Sequence, residues 1–200
     1  MKLIIAVIFF GILTCAFTSY VPYMLEKCLD VKPMGNFRPK KFFSGTWYVT
    51  HAKNGTQATV CHKYQTKKEK NNKFSFDYGY YNDGNGDPFF RVHCKETKKE
   101  KKKRFSFNCK VIEGQESSKF QEYNVDLTFV DTDYKSYAMF YRCVPIGDRF
   151  ADNFLVLHRE KEAKQQKVQS ILKEKLNLYK LRINTFLSRC KSNCKENPAF

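Results

Sequence analysis

Phe37-Arg38-Pro39-Lys40-Lys41-Phe42-Phe43-Ser44-Gly45-Thr46-Trp47-Tyr48-Val49 places the chain's single tryptophan two residues after a glycine. Glycine lets backbone pass close beneath a large ring, and an indole at the head of a first strand can plug one end of a closed sheet. A lone Gly-x-Trp is weak, since any strand can hold a tryptophan. Its meaning depends on what the following residues build.

Outward from that segment the pattern has a period of two. Aromatic and β-branched residues between turn signals predict strands near 44–53, 58–66, 73–81, 88–95, 104–112, 120–130, 135–143 and 153–158. Glycine, asparagine, aspartate, proline and lysine clusters mark the connections. The fold class is all-β: eight antiparallel strands at this spacing suit an up-and-down barrel, whose closure removes both sheet edges. The third strand puts Phe74, Phe76, Tyr78 and Tyr80 on one face and Ser75, Asp77 and Gly79 on the other. Between 160 and 190 the period changes. Val168, Ile171, Leu172, Leu176, Tyr179, Ile183, Phe186 and Leu187 recur at helical spacing, which predicts an amphipathic α-helix packed on the barrel wall.

Met1-Lys2, an apolar run from Leu3 to Leu13, and small residues at Thr14, Ala16 and Thr18 describe a secretory signal over 1–18. The remainder, 19–200, is expected to form one secreted domain, with the barrel over about 44–159 and the helix over about 160–190. Cys15 would leave with the signal, so Cys28, Cys61, Cys94, Cys109, Cys143, Cys190 and Cys194 remain. In a secreted chain these read as disulfides. Cys190 and Cys194 lack a second thiol pair at zinc spacing, so no metal is expected. A hairpin turning near Lys101 would put Cys94 opposite Cys109.

Two further elements follow the tryptophan in order. Asp131-Thr132-Asp133-Tyr134-Lys135-Ser136-Tyr137-Ala138 resembles the lipocalin turn between the sixth and seventh strands, and Arg159 closes the eighth strand. In lipocalins such an arginine lies over the opening tryptophan at the closed end. Phe42 to His51, the early Cys28, Tyr141-Arg142-Cys143 and the cysteine-terminated helix look like the salivary lipocalins of blood-feeding triatomine bugs. That group, within the calycins, includes triabin, pallidipin and the nitrophorins. The resemblance implies a secreted salivary protein that opposes host haemostasis by binding small agonists, carrying nitric oxide on haem, or blocking clotting proteins. It also implies the pairs Cys28–Cys143, Cys94–Cys109 and Cys61 with the helix-end cysteine. Cys194 matches better than Cys190, one turn away, which stays the alternative.

Where nitrophorins hold haem on a histidine, this chain has Tyr80, and no haem or other cofactor is expected. No nucleophile elbow, phosphate loop or His-Glu-x-x-His occurs, so the chain does not read as an enzyme. The lysine runs lack interleaved aromatics, which excludes a nucleic-acid binder. A monomer is expected.

A net charge of +16 implies attraction to anionic surfaces. Barrel topology places Lys67, Lys68, Lys70, Lys98, Lys99, Lys101, Lys102, Lys103 and Arg104 together at the closed end. The opposite, mouth loops carry Asp83, Asp87, Glu113, Glu116, Asp148 and Asp152 against Lys53 and Arg149. An acidic mouth over an aromatic lining suits a small hydrophobic or cationic ligand, a biogenic amine above all. Asp148 and Asp152 lead as ligand contacts if the loop after the seventh strand folds over the opening, followed by Asp83 and Asp87. Phe74, Phe76, Tyr78 and Tyr80 would form the walls. The other reading is an inhibitor whose basic closed end docks on anionic phospholipid or a host clotting protein. Asn54-Gly55-Thr56 is a glycosylation acceptor in the first mouth loop.

Overall fold

The computed structural model describes residues 24–101, 104–114, 122–161 and 165–199. The predicted signal, Lys102, Lys103 and Glu116 lie outside them, as do the side chains of Lys98, Lys99, Lys101, Val168 and Ile171. The barrel strands are β2 (Gly45–Ala52), β3 (Lys63–Lys68), β4 (Phe74–Asn82), β5 (Gly86–Lys101), β6 (Arg104–Glu113), β7 (Glu122–Thr132), β8 (Tyr137–Ile146) and β9 (Arg149–His158). Each pairs antiparallel with the next, and β2 closes the barrel on β9 through Tyr48 opposite His158 and Val49 opposite Leu157. A two-residue strand, β1 (Met24–Leu25), adds to β9, and another, β10 (Leu187–Ser188), adds to β2.

Helix α1 (Pro39–Phe42) begins with a proline, whose missing N–H costs nothing in a first turn, and it delivers Phe42 and Phe43 into the barrel base. Trp47 is fully buried there. Its indole Nε1 donates to the Phe42 carbonyl at 3.1 Å, and its ring stacks on Phe42 at 5.2 Å between centroids. Gly45 has φ 77°, a left-handed backbone, and a Cβ there would sit 3.5 Å from Arg159 Nη1. The Arg159 guanidinium lies 3.6 Å from the Trp47 ring centre and donates to the carbonyls of Ser44 (2.6 Å) and Thr46 (2.9 Å). Burial lowers its pKa to about 10, still far above neutrality. In the sixth-to-seventh turn the Asp133 carboxylate accepts from the N–H groups of Lys135, Ser136 and Tyr137. Tyr134 takes φ 66°, and its hydroxyl accepts from Arg38 N–H at 2.8 Å. Lead-in, turn and last strand are thereby tied into one plug.

Alternation sorts the core into two layers. Trp47, Val49, Tyr64, Phe76, Tyr78, Phe105, Phe107, Phe129, Phe140, Leu155 and Leu157 fill the barrel. Tyr137, Met139, Tyr141, Phe154 and Val156 face outward under Val31, Leu172, Leu176 and Phe186.

The structure differs from the expected boundaries in three places. Residues 57–60 form a helical turn, α2 (Gln57–Val60), closed by a capping box from Thr56 and Thr59, so the second strand starts at Lys63 rather than 58. The C-terminal helix α3 spans Gln165–Asn177 only. Lys180, at φ 56°, turns the chain away, and the apolar positions Phe186 and Leu187 are used by an extended tail instead. The seventh and eighth strands run on to Ile146 and back from Arg149, leaving a two-residue turn, Gly147-Asp148. Gly147 supplies the φ of 61° that the tight turn demands.

Candidate ligand-binding site

Three disulfides set the frame around the mouth. Cys28–Cys143 ties the N-terminal segment to the outside of β8, Cys94–Cys109 bridges directly opposed residues of β5 and β6, and Cys61–Cys194 staples the C-terminal tail to the head of β3. Cys190 stays outside all three, with its Sγ 3.1 Å from Ser188 Oγ. From Cys194 the tail straps the rim. Lys195 N–H donates to the Gly84 carbonyl at 3.0 Å, Asn197 Nδ2 donates to the Gly79 carbonyl at 2.8 Å, and Lys195 Nζ meets Asp87 at 3.1 Å.

Under that rim, the mouth half of the barrel is lined with phenols. Tyr64 from β3, Tyr78 from β4, and Tyr123 from β7 surround the residual cavity with Phe76, Cys109, Val125, Leu127 and Arg142. Tyr64 stacks on Tyr78 at 5.3 Å and Tyr80 on Phe90 at 5.4 Å, while the Tyr78 and Tyr123 hydroxyls hydrogen-bond to each other. Arg142 enters from β8. Its guanidinium carbon sits 5.8 Å from the Tyr78 ring centre, and the side chain is half-buried. Burial opposes its charge, but the oxygens of Tyr78, Tyr123 and Tyr64 more than offset this and raise its pKa. Burial raises the Tyr64 and Tyr123 hydroxyls well above their ordinary range and Tyr80 to about 12, so all three are neutral. His62 packs 5.0 Å from Tyr78 and 4.7 Å from Tyr80, is only 7% exposed, and leaves Nδ1 without a hydrogen-bond partner. Burial first, then Arg142 and Arg189, lower its pKa to about 3, so it too is neutral. No carboxylate pairs with Arg142 among the described residues. The cavity beneath these groups is about 10 Å³, room for about one water.

Of the expected aromatic walls, Phe76 and Tyr78 line this cavity and Tyr80 stands at its rim. Phe74 does not: it stacks on Phe43 at 4.6 Å, in the plug. The four expected carboxylates do not converge. Asp83 is exposed at a hairpin tip with φ 50°, and Asp87 is exposed and paired to Lys195. Asp148 is exposed in the short turn, which is too tight to cover the mouth. Asp152 lies on β9 in register with Phe154 and Val156, so it faces the outer layer; it is buried, accepts from Asn54 Nδ2 at 3.3 Å and lies 3.8 Å from Lys53. Two of these four are thus paired with lysines, and none of the four lines the cavity. The Asn54 amide nitrogen that would carry a glycan is donating to Asp152 instead.

At the closed end, Lys67, Lys68 and Lys70 are exposed and line an open groove of about 500 Å³ with Lys73, Lys95, Asn71, Glu69 and Glu96. Lys73 and Lys95 were not anticipated as members. Glu96 is held by the Phe74 N–H at 2.8 Å, and Glu69 by the Ser75 hydroxyl at 2.6 Å. Arg104 is half-buried and does not line the groove.

Comparison with known proteins places this architecture. The chain is 39% identical to Triafestin-1 of Triatoma infestans, over its whole length and 97% of that protein. The fold matches a solved biogenic amine-binding protein with a TM-score of 0.71 at 20% identity, over 85% of this chain and 91% of the other. It also matches a variant of LTBP1 solved with leukotriene C4, with a TM-score of 0.59 at 26% identity, over 82% of this chain and 92% of the other. The sequence profile of the family described as Triabin matches residues 19–171, and with the barrel, its plug and these relatives in place, the chain belongs to the triabin family of lipocalins.

Proposed function

We propose that this protein is a secreted, non-catalytic salivary binder that inhibits host haemostasis by sequestering a small agonist in the mouth half of its barrel. The observation that carries this reading is the polar cluster of Arg142, His62 and the tyrosines inside an otherwise apolar barrel. Polar groups converging on an apolar cup are how small-molecule sites are built. The family supports a binding role, and the solved relatives include one with an amine and one with leukotriene C4 in their names. Sequestration needs no turnover, only affinity tighter than the agonist concentration and protein in at least equal amount. A ligand of ordinary size needs roughly 300 Å³ or more, so side chains that line the cavity must give way on binding. Titration calorimetry against serotonin, noradrenaline, histamine, ADP and a thromboxane analogue tests the reading. One ligand per chain is the expected result, and the absence of heat with all five rejects it.

A second reading rests on the 500 Å³ lysine groove, many times larger than the interior cavity. On it, the closed end docks on anionic phospholipid or an acidic face of a clotting protein. Loss of vesicle binding after reversing the charges of Lys67, Lys68 and Lys70, with the barrel intact, would favour this route.

A further inference from the structure

We propose that the outer wall of β2 and β3, beneath the C-terminal tail, is a docking surface for an acidic, extended segment of a partner protein, and that Glu196 of the tail holds its place in the resting chain. This goes beyond the carrier reading. It concerns the outside of the barrel and is independent of what the interior holds.

Trp47 and Val49 fill the barrel, so Tyr48 between them points outward. Two cations lie over its ring, Lys161 at 5.8 Å and Arg189 at 5.7 Å from the centre. Lys63, opposite Tyr48 on β3, completes the group. Into it the tail puts one carboxylate. Lys161 Nζ donates to both oxygens of Glu196, and that bond, with the charges of Lys161, Lys63 and Arg189, holds the carboxyl below its ordinary range.

The occupant identifies the class. The group has accepted a carboxylate carried on extended backbone, and Lys63 Nζ donates to the Pro198 carbonyl of the same tail at 3.3 Å. Three cations and one acid line the site, a net charge of +2, so a segment with two or more carboxylates matches it better than Glu196 alone. Exchange asks little of the fold. Glu196 exposes 71% of its side chain, whereas the strap is anchored separately by Cys61–Cys194 and by Asn197 Nδ2 on the Gly79 carbonyl. Asn197 supplies a second observation. It lines the site, is only 8% exposed, and leaves Oδ1 without a hydrogen-bond partner. A buried acceptor left unpaired is costly, and a docked peptide brings backbone N–H donors that an anion such as sulfate lacks.

Hexaglutamate is the probe, titrated at low salt into the full mature chain and followed by NMR of the Tyr48 ring. A saturable shift of that ring is the expected result. Glu196→Gln removes the internal competitor and should tighten binding about 2- to 5-fold, the worth of one exposed ion pair. Glu174→Gln, the same loss of charge at an exposed position of α3, should leave the affinity unchanged. Lys161→Gln should weaken binding by a similar factor. Sodium sulfate at matched ionic strength should not reproduce the Tyr48 shift. Equal tightening by Glu174→Gln, or a Tyr48 ring that stays still while the lysines at 67–73 shift, overturns the proposal. A matching shift with sulfate overturns the peptide as its occupant. None of these results bears on ligand binding inside the barrel.

Discussion

Of the arginines that lie near aromatic rings, Arg159 and Arg142 are equipped in different ways. Arg159, at the closed end, lies on Trp47 and spends its donors on the carbonyls of Ser44, Thr46 and, at 3.4 Å, Tyr134. Arg142, in the mouth half, lines a small cavity together with Tyr64, Tyr78 and Tyr123. The first is a completed structural joint, satisfied by fixed backbone. The second is held by side-chain phenols, Tyr78 and Tyr64, beside a small cavity. A fully satisfied polar network rigidifies a fold, whereas side-chain partners beside a cavity can be exchanged for those of a ligand.

The contrast is sharpest in stability. Trp47→Ala should cost about 3–5 kcal/mol, because a fully buried aromatic leaves a cavity that its strand neighbours cannot fill. Equilibrium denaturant unfolding measures it, and a loss below about 1 kcal/mol would mean that the plug is not what closes the barrel.

Acid should loosen the seam between β2 and β9. There His158 Nδ1 lies 2.7 Å from Thr50 Oγ1, and His51 Nδ1 lies 3.2 Å from the same hydroxyl. Burial lowers both histidines to about 4. Their folded pKa lies below the unfolded value near 6.5, so the unfolded chain takes up protons first. Stability is therefore full above about pH 6.5 and falls as pH drops toward 4, by about 3 kcal/mol at most for each group. Thermal unfolding across pH 4–7 checks the sign, and a His51→Gln, His158→Gln chain should show a flatter profile.

The two arginines can be compared directly. Arg159→Gln should destabilise by about 1.5–3 kcal/mol, the usual worth of hydrogen bonds from a charged group. Arg142→Gln should change stability by less than about 1 kcal/mol, in either direction, because it removes a desolvated cation without stranding a counter-ion. Similar losses from both would erase the distinction between joint and site.

Much of this frame was legible in the sequence, because it is written in local and periodic signals. Gly45, Trp47, Asp133 and Arg159 mark the plug by residue type and order. The aromatic face of β4 follows from alternation alone. The Arg142 position was also legible: if Cys143 bonds Cys28 outside the barrel, its neighbour on the strand must point inward. What misled was treating the mouth as a set of loops with charges to be counted. Pro145-Ile146-Gly147-Asp148 reads as a long connection, yet Pro145 and Ile146 are still paired with Phe150 and Arg149. Asp152 became a strand residue on the outer face for the same reason, since one residue of register decides which side a carboxylate takes. The tail that brings Lys195 to Asp87 depends on a staple 133 residues long in sequence, which no local pattern announces.

At the closed end the expected effect is on surface attraction rather than on stability. Reversing Lys67, Lys68 and Lys70 should weaken attraction to phosphatidylserine vesicles by about 1 kcal/mol per residue, with an effect that fades as salt rises. It should leave the calorimetric titrations with the five small molecules unchanged. Weakened binding of any of them would join the two ends into one site.

Side-chain NMR of the arginine and tyrosine groups during titration with the same five molecules tests most directly that the ligand lies in the mouth half. Shifts at Arg142, Tyr78 and Tyr123, with the Trp47 indole and the lysines around residues 67–73 unmoved, are the predicted result. Shifts confined to those lysines, with Arg142 silent, would contradict the account.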